Sequence, residues 1–390
     1  METLMRLFIL KLAILYFSVS CSSIDNQKES PTGPQDTGGQ HKVFYFTTVS
    51  EGYSSSSLYQ YNLQDGKISK VLTGQSGDPA VFKGKNHLYF FNRSSGNSNF
   101  RRFDLSQPLT SLPQQLKTPV TGMGAPQDML ELDDDKILLA DLGGSLTIMA
   151  AQTGEKIGQI AGDWDTNGGP FLPVSLHATY SDDKIQRVFV LHQGRGLEFG
   201  TYNNSQQIFL LEPNQQGGLE AIDLDSTKAG IQGVPLRYSN GEKFLLDNNQ
   251  KLLIVGICYG EATCKKGVEA FDPQTLDVKD VLDLSNTDFY GGHFAMGKDN
   301  HIIGTVYYDA SYADFRVVEL DLTTGNTTEV HQYPASSTPA SGLFFDPTSQ
   351  VMYVGDRKFQ GQGFFTIYNQ GTKSVVEVAG HPYNGVFSDR

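Results

Sequence analysis

Residues 128–160 read DMLELDDDKILLADLGGSLTIMAAQTGEKIGQI, a run that divides into four short apolar strands separated by polar turns. DMLEL and KILLAD flank the turn DDD, and SLTIMAA and EKIGQI flank the turn QTG. Alternation of apolar and polar residues between Asp- and Gly-bearing turns is the signature of hairpins with one buried face. The same grammar recurs along the chain. AVFKGKNHLYFF (80–91), KFLLDNNQKLLIV (243–255), HFAMGKDNHIIGTV (293–306) and GLFFDPTSQVMYV (342–354) repeat its first half, and SLHATY (175–180) with RVFVL (187–191) is a looser copy. LYQYNLQDGKI (58–68), VEAFDPQTLDV (268–278) and VVELDLTTGNT (317–327) repeat its second half.

Second strands are expected to begin near Val43, Leu88, Ile137, Val188, Leu252, Ile302 and Val351, a period of roughly 50 residues that matches blades of a radial array. The long interval before Leu252 implies inserted loops around 195–204 and 225–241. The first copy, KVFYFTT (42–48), lacks an opening strand. The missing piece stands at the other terminus, where NGVFSD (384–389) matches SGLFFD (341–346). The expected architecture is therefore an all-β, seven-bladed β-propeller of four-stranded blades, closed by the C-terminal strand joining the first blade. Closure removes the strand edges that an open array would expose.

Composition agrees with many short strands: 41 Gly, 18 Tyr and 24 Phe in 390 residues, with a single Trp. The formal net charge of −13 argues against a nucleic-acid partner, since phosphate-backbone binders present a basic face. It supports solubility and favours a cationic ligand or metal.

Residues 1–21 read as an export signal, with Arg6 and Lys11 ahead of a short apolar stretch that ends in FSVSCSS (17–23). A small residue before Cys21 resembles the bacterial lipobox, which implies lipidation of Cys21; the usual leucine three residues upstream is Ser18 here. Ser22 follows, not the aspartate of inner-membrane retention, so the expected address is the outer membrane of a bacterial envelope. Residues 22–41 are polar and rich in Pro and Gly, a flexible tether, and 42–390 form the propeller. Cys258 and Cys264, close together in ICYGEATC (257–264), are expected to pair as a disulfide after export. A zinc reading of the two lacks a second pair of ligands.

The chain resembles bacterial extracytoplasmic propellers of the YVTN/quinoprotein-amine-dehydrogenase-like class, with ELDLTTGN (319–326) and MYVGD (352–356) as its best examples. That resemblance implies a lipid-anchored binding module, in some cases one that captures a cofactor or iron chelate for an outer-membrane transporter. Fold does not settle function.

Loops that enter the innermost strands converge on one face with those joining second to third strands. On this face the sequence gathers Trp164, Phe171, His177, Tyr290, His293 and Tyr383, with Arg195, Tyr312 and Arg357 from second-to-third-strand loops. Aromatics with Arg and His suit a planar or sugar-like ligand. DWDTNG (163–168) matches the first half of a calcium loop through Asp163, Asp165 and Asn167, but position twelve is Val174 instead of glutamate. No haem-attachment motif, nucleophile elbow or phosphate-cradling loop is present. GRGLEFG (194–200) lacks the strand-to-helix setting of a nucleotide loop. The expectation is a monomeric module binding a small molecule or an envelope protein. A metal-dependent propeller hydrolase, lactonase or dehydrogenase using Asp128, His177 and His293 is the alternative, and a scaffold subunit of an envelope complex is a third reading.

Overall fold

The computed structural model describes residues 42–50, 52, 54–75, 78–92, 99–106, 125–194, 206–238, 240–257, 265–289, 291–308, 314–333, 338–357, 362–369 and 371–389. Cys21, Cys258 and Cys264 lie outside them, as do the tether and the 195–204 insertion.

The chain folds as β1 (Val43–Val49), β2 (Ser56–Asn62) and β3 (Ile68–Gln75), then β4 (Pro79–Lys83), β5 (His87–Asn92) and β6 (Asn99–Asp104). The third group is β7 (Pro126–Asp133), β8 (Lys136–Asp141), β9 (Ser145–Ala150) and β10 (Lys156–Ile160). The fourth is β11 (Pro173–Ser181), β12 (Lys184–His192), β13 (Gln207–Pro213), β14 (Leu219–Ile222) and β15 (Val234–Pro235). The fifth is β16 (Leu245–Leu246), β17 (Leu252–Gly256), β18 (Gly267–Phe271) and β19 (Val278–Asp283). The sixth is β20 (Gly291–Met296), β21 (His301–Tyr307), β22 (Phe315–Asp321) and β23 (Thr327–Gln332). Last come β24 (Thr338–Asp346), β25 (Val351–Arg357), β26 (Gln362–Asn369), β27 (Thr372–Ala379) and β28 (His381–Ser388).

These strands form seven antiparallel sheets, and β28 pairs with β1 to complete the first in the order β28-β1-β2-β3. The protein is a seven-bladed β-propeller closed by its C-terminal strand. Among the described residues the second sheet shows β4-β5-β6, with 107–124 following outside them. First strands meet around the centre: β28 touches β4, β4 touches β7, β7 touches β11, β16 touches β20, and β20 and β28 both touch β24. The second strand of the fourth blade starts at Lys184, four residues before the expected Val188. Asp182 and Asp183 both have positive φ, the two-residue turn that carries the hairpin's twist, and so the ladder extends to its tip.

The second insertion resolves into a split outer strand. β14 covers one half of β13 and β15 the other. The chain between them reaches the third blade, where Ile231 bridges Trp164, donates to the Asp163 carbonyl (2.6 Å) and accepts from the Asp165 N–H (3.0 Å).

The core lies between blades, not within them. Phe44 and Phe46 of β1 and Phe387 of β28 pack with Phe344, Tyr353 and Phe365 of the seventh blade. Phe44 stacks on Phe387 at 4.6 Å and meets Phe344 at 5.0 Å. Val43, Tyr45 and Val386 face the second blade's Val81, Leu88 and Phe90. The closing blade is thus apolar on both faces, as burial between two neighbours requires. Its aromatics carry the largest areas that a core can bury.

Candidate functional site

Pro79, Pro126, Pro173, Pro339 and Pro382 each stand at or next to the entry of an inner strand. Proline fits there because it has no N–H to offer a ladder and its φ is already set. Opposite these prolines, the second strands place the buried polar residues Asn92, Asp141, His192, Asp356 and Thr48. Three of the five visibly hold the entering loop. Asp141 Oδ1 accepts the N–H groups of Ala125 (2.9 Å) and Gly143 (2.7 Å), His192 Nδ1 accepts that of Leu172 (3.0 Å), and Thr48 donates to the Ala379 carbonyl (2.8 Å). Because Nδ1 of His192 accepts, its proton sits on Nε2, and burial pushes its pKa down to about 4. These polar groups anchor the face.

Just past Pro126, Pro173 and Pro382 the inner strand carries one extra residue, Gln127, Val174 and Tyr383 respectively. A bulge of this kind bends a strand and re-aims the side chains around it. Here the following residue turns towards the neighbouring blade. Asp128 Oδ2 accepts from Ser175 Oγ (3.0 Å) and from the Leu176 N–H (2.6 Å). Asn384 Oδ1 accepts the Val81 N–H (2.7 Å). Ser175 Oγ in turn accepts the Phe244 N–H (3.2 Å). Inner-strand N–H groups not used by the ladder are thereby satisfied from the next blade, as buried donors must be.

The fifth blade carries a bulge as well. Gly241 bridges Gly256 and Leu245 pairs with Leu253, so residues 242–244 oppose only 254–255. The bulge directs Glu242 across to the sixth blade, where its Oε2 lies 2.7 Å from His293 Nδ1. Both side chains are largely buried, at 19% and 7% exposure. His177 meets the Phe244 ring edge-on at 6.4 Å. Asp128, Ser175, His177, Glu242 and His293 therefore form one polar arc across four blades, at the loop end of the inner strands. An imidazole held by a carboxylate has a defined ring orientation and can exchange a proton or hydrogen-bond a ligand.

Of the residues expected on this face, His177 and His293 join the arc, and Tyr383 is the bulged residue of β28. Trp164 and Phe171 stack on each other (4.5 Å, 8°) and pack against Phe209 and His192 between the third and fourth blades. Tyr290, Arg195 and Tyr312 lie outside the described residues, and so does the side chain of Arg357, the last residue of β25. The acidic loop is held by local and cross-blade bonds. Asp165 Oδ1 accepts the Asn167 N–H (3.1 Å), closing a local turn, while the Asp163 and Asp165 carbonyls accept from Ile231 and Gln207. Among the described residues no group of three or more His, Cys, Asp or Glu is placed to hold a metal ion.

Glu242, Ser175 and Asn384 were not singled out in the sequence. For Ser175 and Asn384 a usable signal exists: PQD (126–128), PVS (173–175), PAS (339–341) and PYN (382–384) repeat Pro, any residue, then a short polar side chain.

No protein-family model matches the chain, and no curated protein matches it. Solved structures do. A putative 6-phosphogluconolactonase from Bacteroides fragilis NCTC 9343 superposes with a TM-score of 0.59 at 14% identity, over 90% of this chain and 99% of that one. A putative 6-phosphogluconolactonase from Bacteroides uniformis ATCC 8492 gives 0.58 at 11% identity, over 89% and 99%. At such identities the likeness shows the fold alone.

Proposed function

We propose that the protein is a lipid-anchored ligand-capture module of the bacterial envelope, an extracytoplasmic propeller of the YVTN-like class. Cys21 carries the anchor at the outer membrane, and the propeller offers its loop face to a small molecule passed on to a membrane transporter. The observation that carries the capture reading is the Glu242–His293 pair, brought together across two blades by a bulge at the channel mouth. Burying a carboxylate and an imidazole there costs desolvation, and their mutual contact helps to offset that cost. Oriented polar groups at a concave mouth suit recognition of a small polar ligand.

Equilibrium dialysis of the lipidated protein against an envelope small-molecule extract, read by mass spectrometry, tests this. Wild type retains at least one compound that Glu242→Gln and His293→Gln lose, while Val375→Ser, on the exposed outer strand β27, retains it. Equal retention by all four refutes the site.

The same pair supports a hydrolytic reading, since a carboxylate-held imidazole is a general-base arrangement. Turnover of 6-phosphogluconolactone that disappears in His293→Gln would replace capture with catalysis.

A further inference from the structure

We propose that Ser175, held by Asp128, is the positioning residue for the Glu242–His293 pair; this rests on the site described above. The connection is continuous. Asp128 Oδ2 accepts from Ser175 Oγ at 3.0 Å, and Ser175 Oγ accepts from the Phe244 N–H at 3.2 Å. Two residues before Phe244, in the same bulge, Glu242 meets His293 at 2.7 Å.

The bulge is what makes the Ser175 bond matter. Residues 242–244 have no register partners in the ladder to β17, which resumes only at Leu245. A segment outside the ladder takes its conformation from whatever else holds its backbone. Ser175 holds one end of it, and β16 contributes only Leu245 and Leu246 to the sheet. The hydroxyl is well suited to this. It donates to a carboxylate, whose charge strengthens the bond, and so its lone pairs are turned to the incoming N–H. Ser175 is 2% exposed and does not itself face solvent. Its part is to set where Glu242 stands, and through Glu242 the orientation of the His293 ring.

The test is the ring-nitrogen spectrum of the full-length protein labelled with ¹⁵N-histidine, with the His293 signal assigned by its loss in His293→Gln. In wild type, His293 shows Nδ1 protonated and hydrogen-bonded. Ser175→Ala shifts that signal towards a mixture of tautomers, with the His192 and His331 signals unmoved, and Ser175→Thr restores it. If Ser175→Ala perturbs His192 and His331 as well, Asp128→Asn decides, since it removes the charged acceptor and leaves the hydroxyl in place. A His293 signal unchanged in Ser175→Ala, or unchanged in Asp128→Asn where that variant decides, overturns the proposal. The readout contains no ligand, so failure of capture in the dialysis experiment leaves this result standing, and the reverse.

Discussion

The side-chain oxygen of Asn384 accepts the backbone N–H of Val81 at 2.7 Å, tying together two residues 303 positions apart. Asn384 belongs to the strand that completes the first blade, and Val81 to the inner strand of the second. The closing strand therefore holds its own blade through the ladder and the next blade through this bond. Asn384→Ala leaves a buried N–H without an acceptor, at a cost of about 1–3 kcal/mol. Denaturant unfolding should show a lower midpoint with an unchanged slope. Truncation after Gly380 removes β28 altogether and should abolish cooperative unfolding.

The aromatic seam between the seventh and first blades should dominate stability. Phe44 touches Phe46, Phe344, Tyr353, Phe365 and Phe387 within one cluster. Phe44→Ala is expected to cost about 3–5 kcal/mol, whereas Val375→Ser, at a residue 57% exposed, should stay within about 0.5 kcal/mol of wild type. Equal losses at the two positions would contradict a core lying between blades.

Two histidines set an acid limit. Burial lowers the pKa of both His192 and His331 to about 4. The folded state then binds fewer protons than the unfolded chain between about pH 6.5 and 4, so stability falls as pH falls through that window. Each histidine contributes a slope of about 1.4 kcal/mol per pH unit inside it. His192→Gln should reduce the measured slope by about one proton's worth, and an undiminished slope would show that His192 is protonated in the folded protein.

Between the second and third blades, Glu131 accepts from Tyr89, from His87 Nδ1 (3.0 Å) and from the Lys85 N–H. Arg102 donates to His87 Nε2 at 2.6 Å, which leaves the proton on Nδ1, facing Glu131. A Cβ at Gly84 would stand 2.5 Å from Glu131 Oε2. Gly84→Ala must displace that carboxylate and should lower stability by about 1–3 kcal/mol. Glu131→Gln made in the Gly84→Ala background should then cost less than it does in wild type.

The fold was legible because hairpin grammar is local. The DDD turn at 133–135, the alternation in 317–321 and the unmatched strand at 384–389 are all written in neighbouring residues. Blade closure followed because one incomplete copy and one spare strand have a single joint solution. The site was less legible. Glu242 looks like an ordinary polar residue until the bulge at 242–244 is known, and the bulge depends on pairing with Gly256. The packing of Trp164 was not legible either, since nothing in DWDTNG reveals that Ile231 and Phe209 meet Trp164 from another blade. Side chains whose partners lie one blade away are invisible to a local reading.

Hydrogen–deuterium exchange of the protein with and without a compound retained in dialysis tests the central claim most directly. The loop-face site predicts added protection in peptides covering 241–246 and 291–296, with none in the turns at 133–135 and 181–184 on the opposite face. Protection at those turns with an unchanged loop face would contradict it.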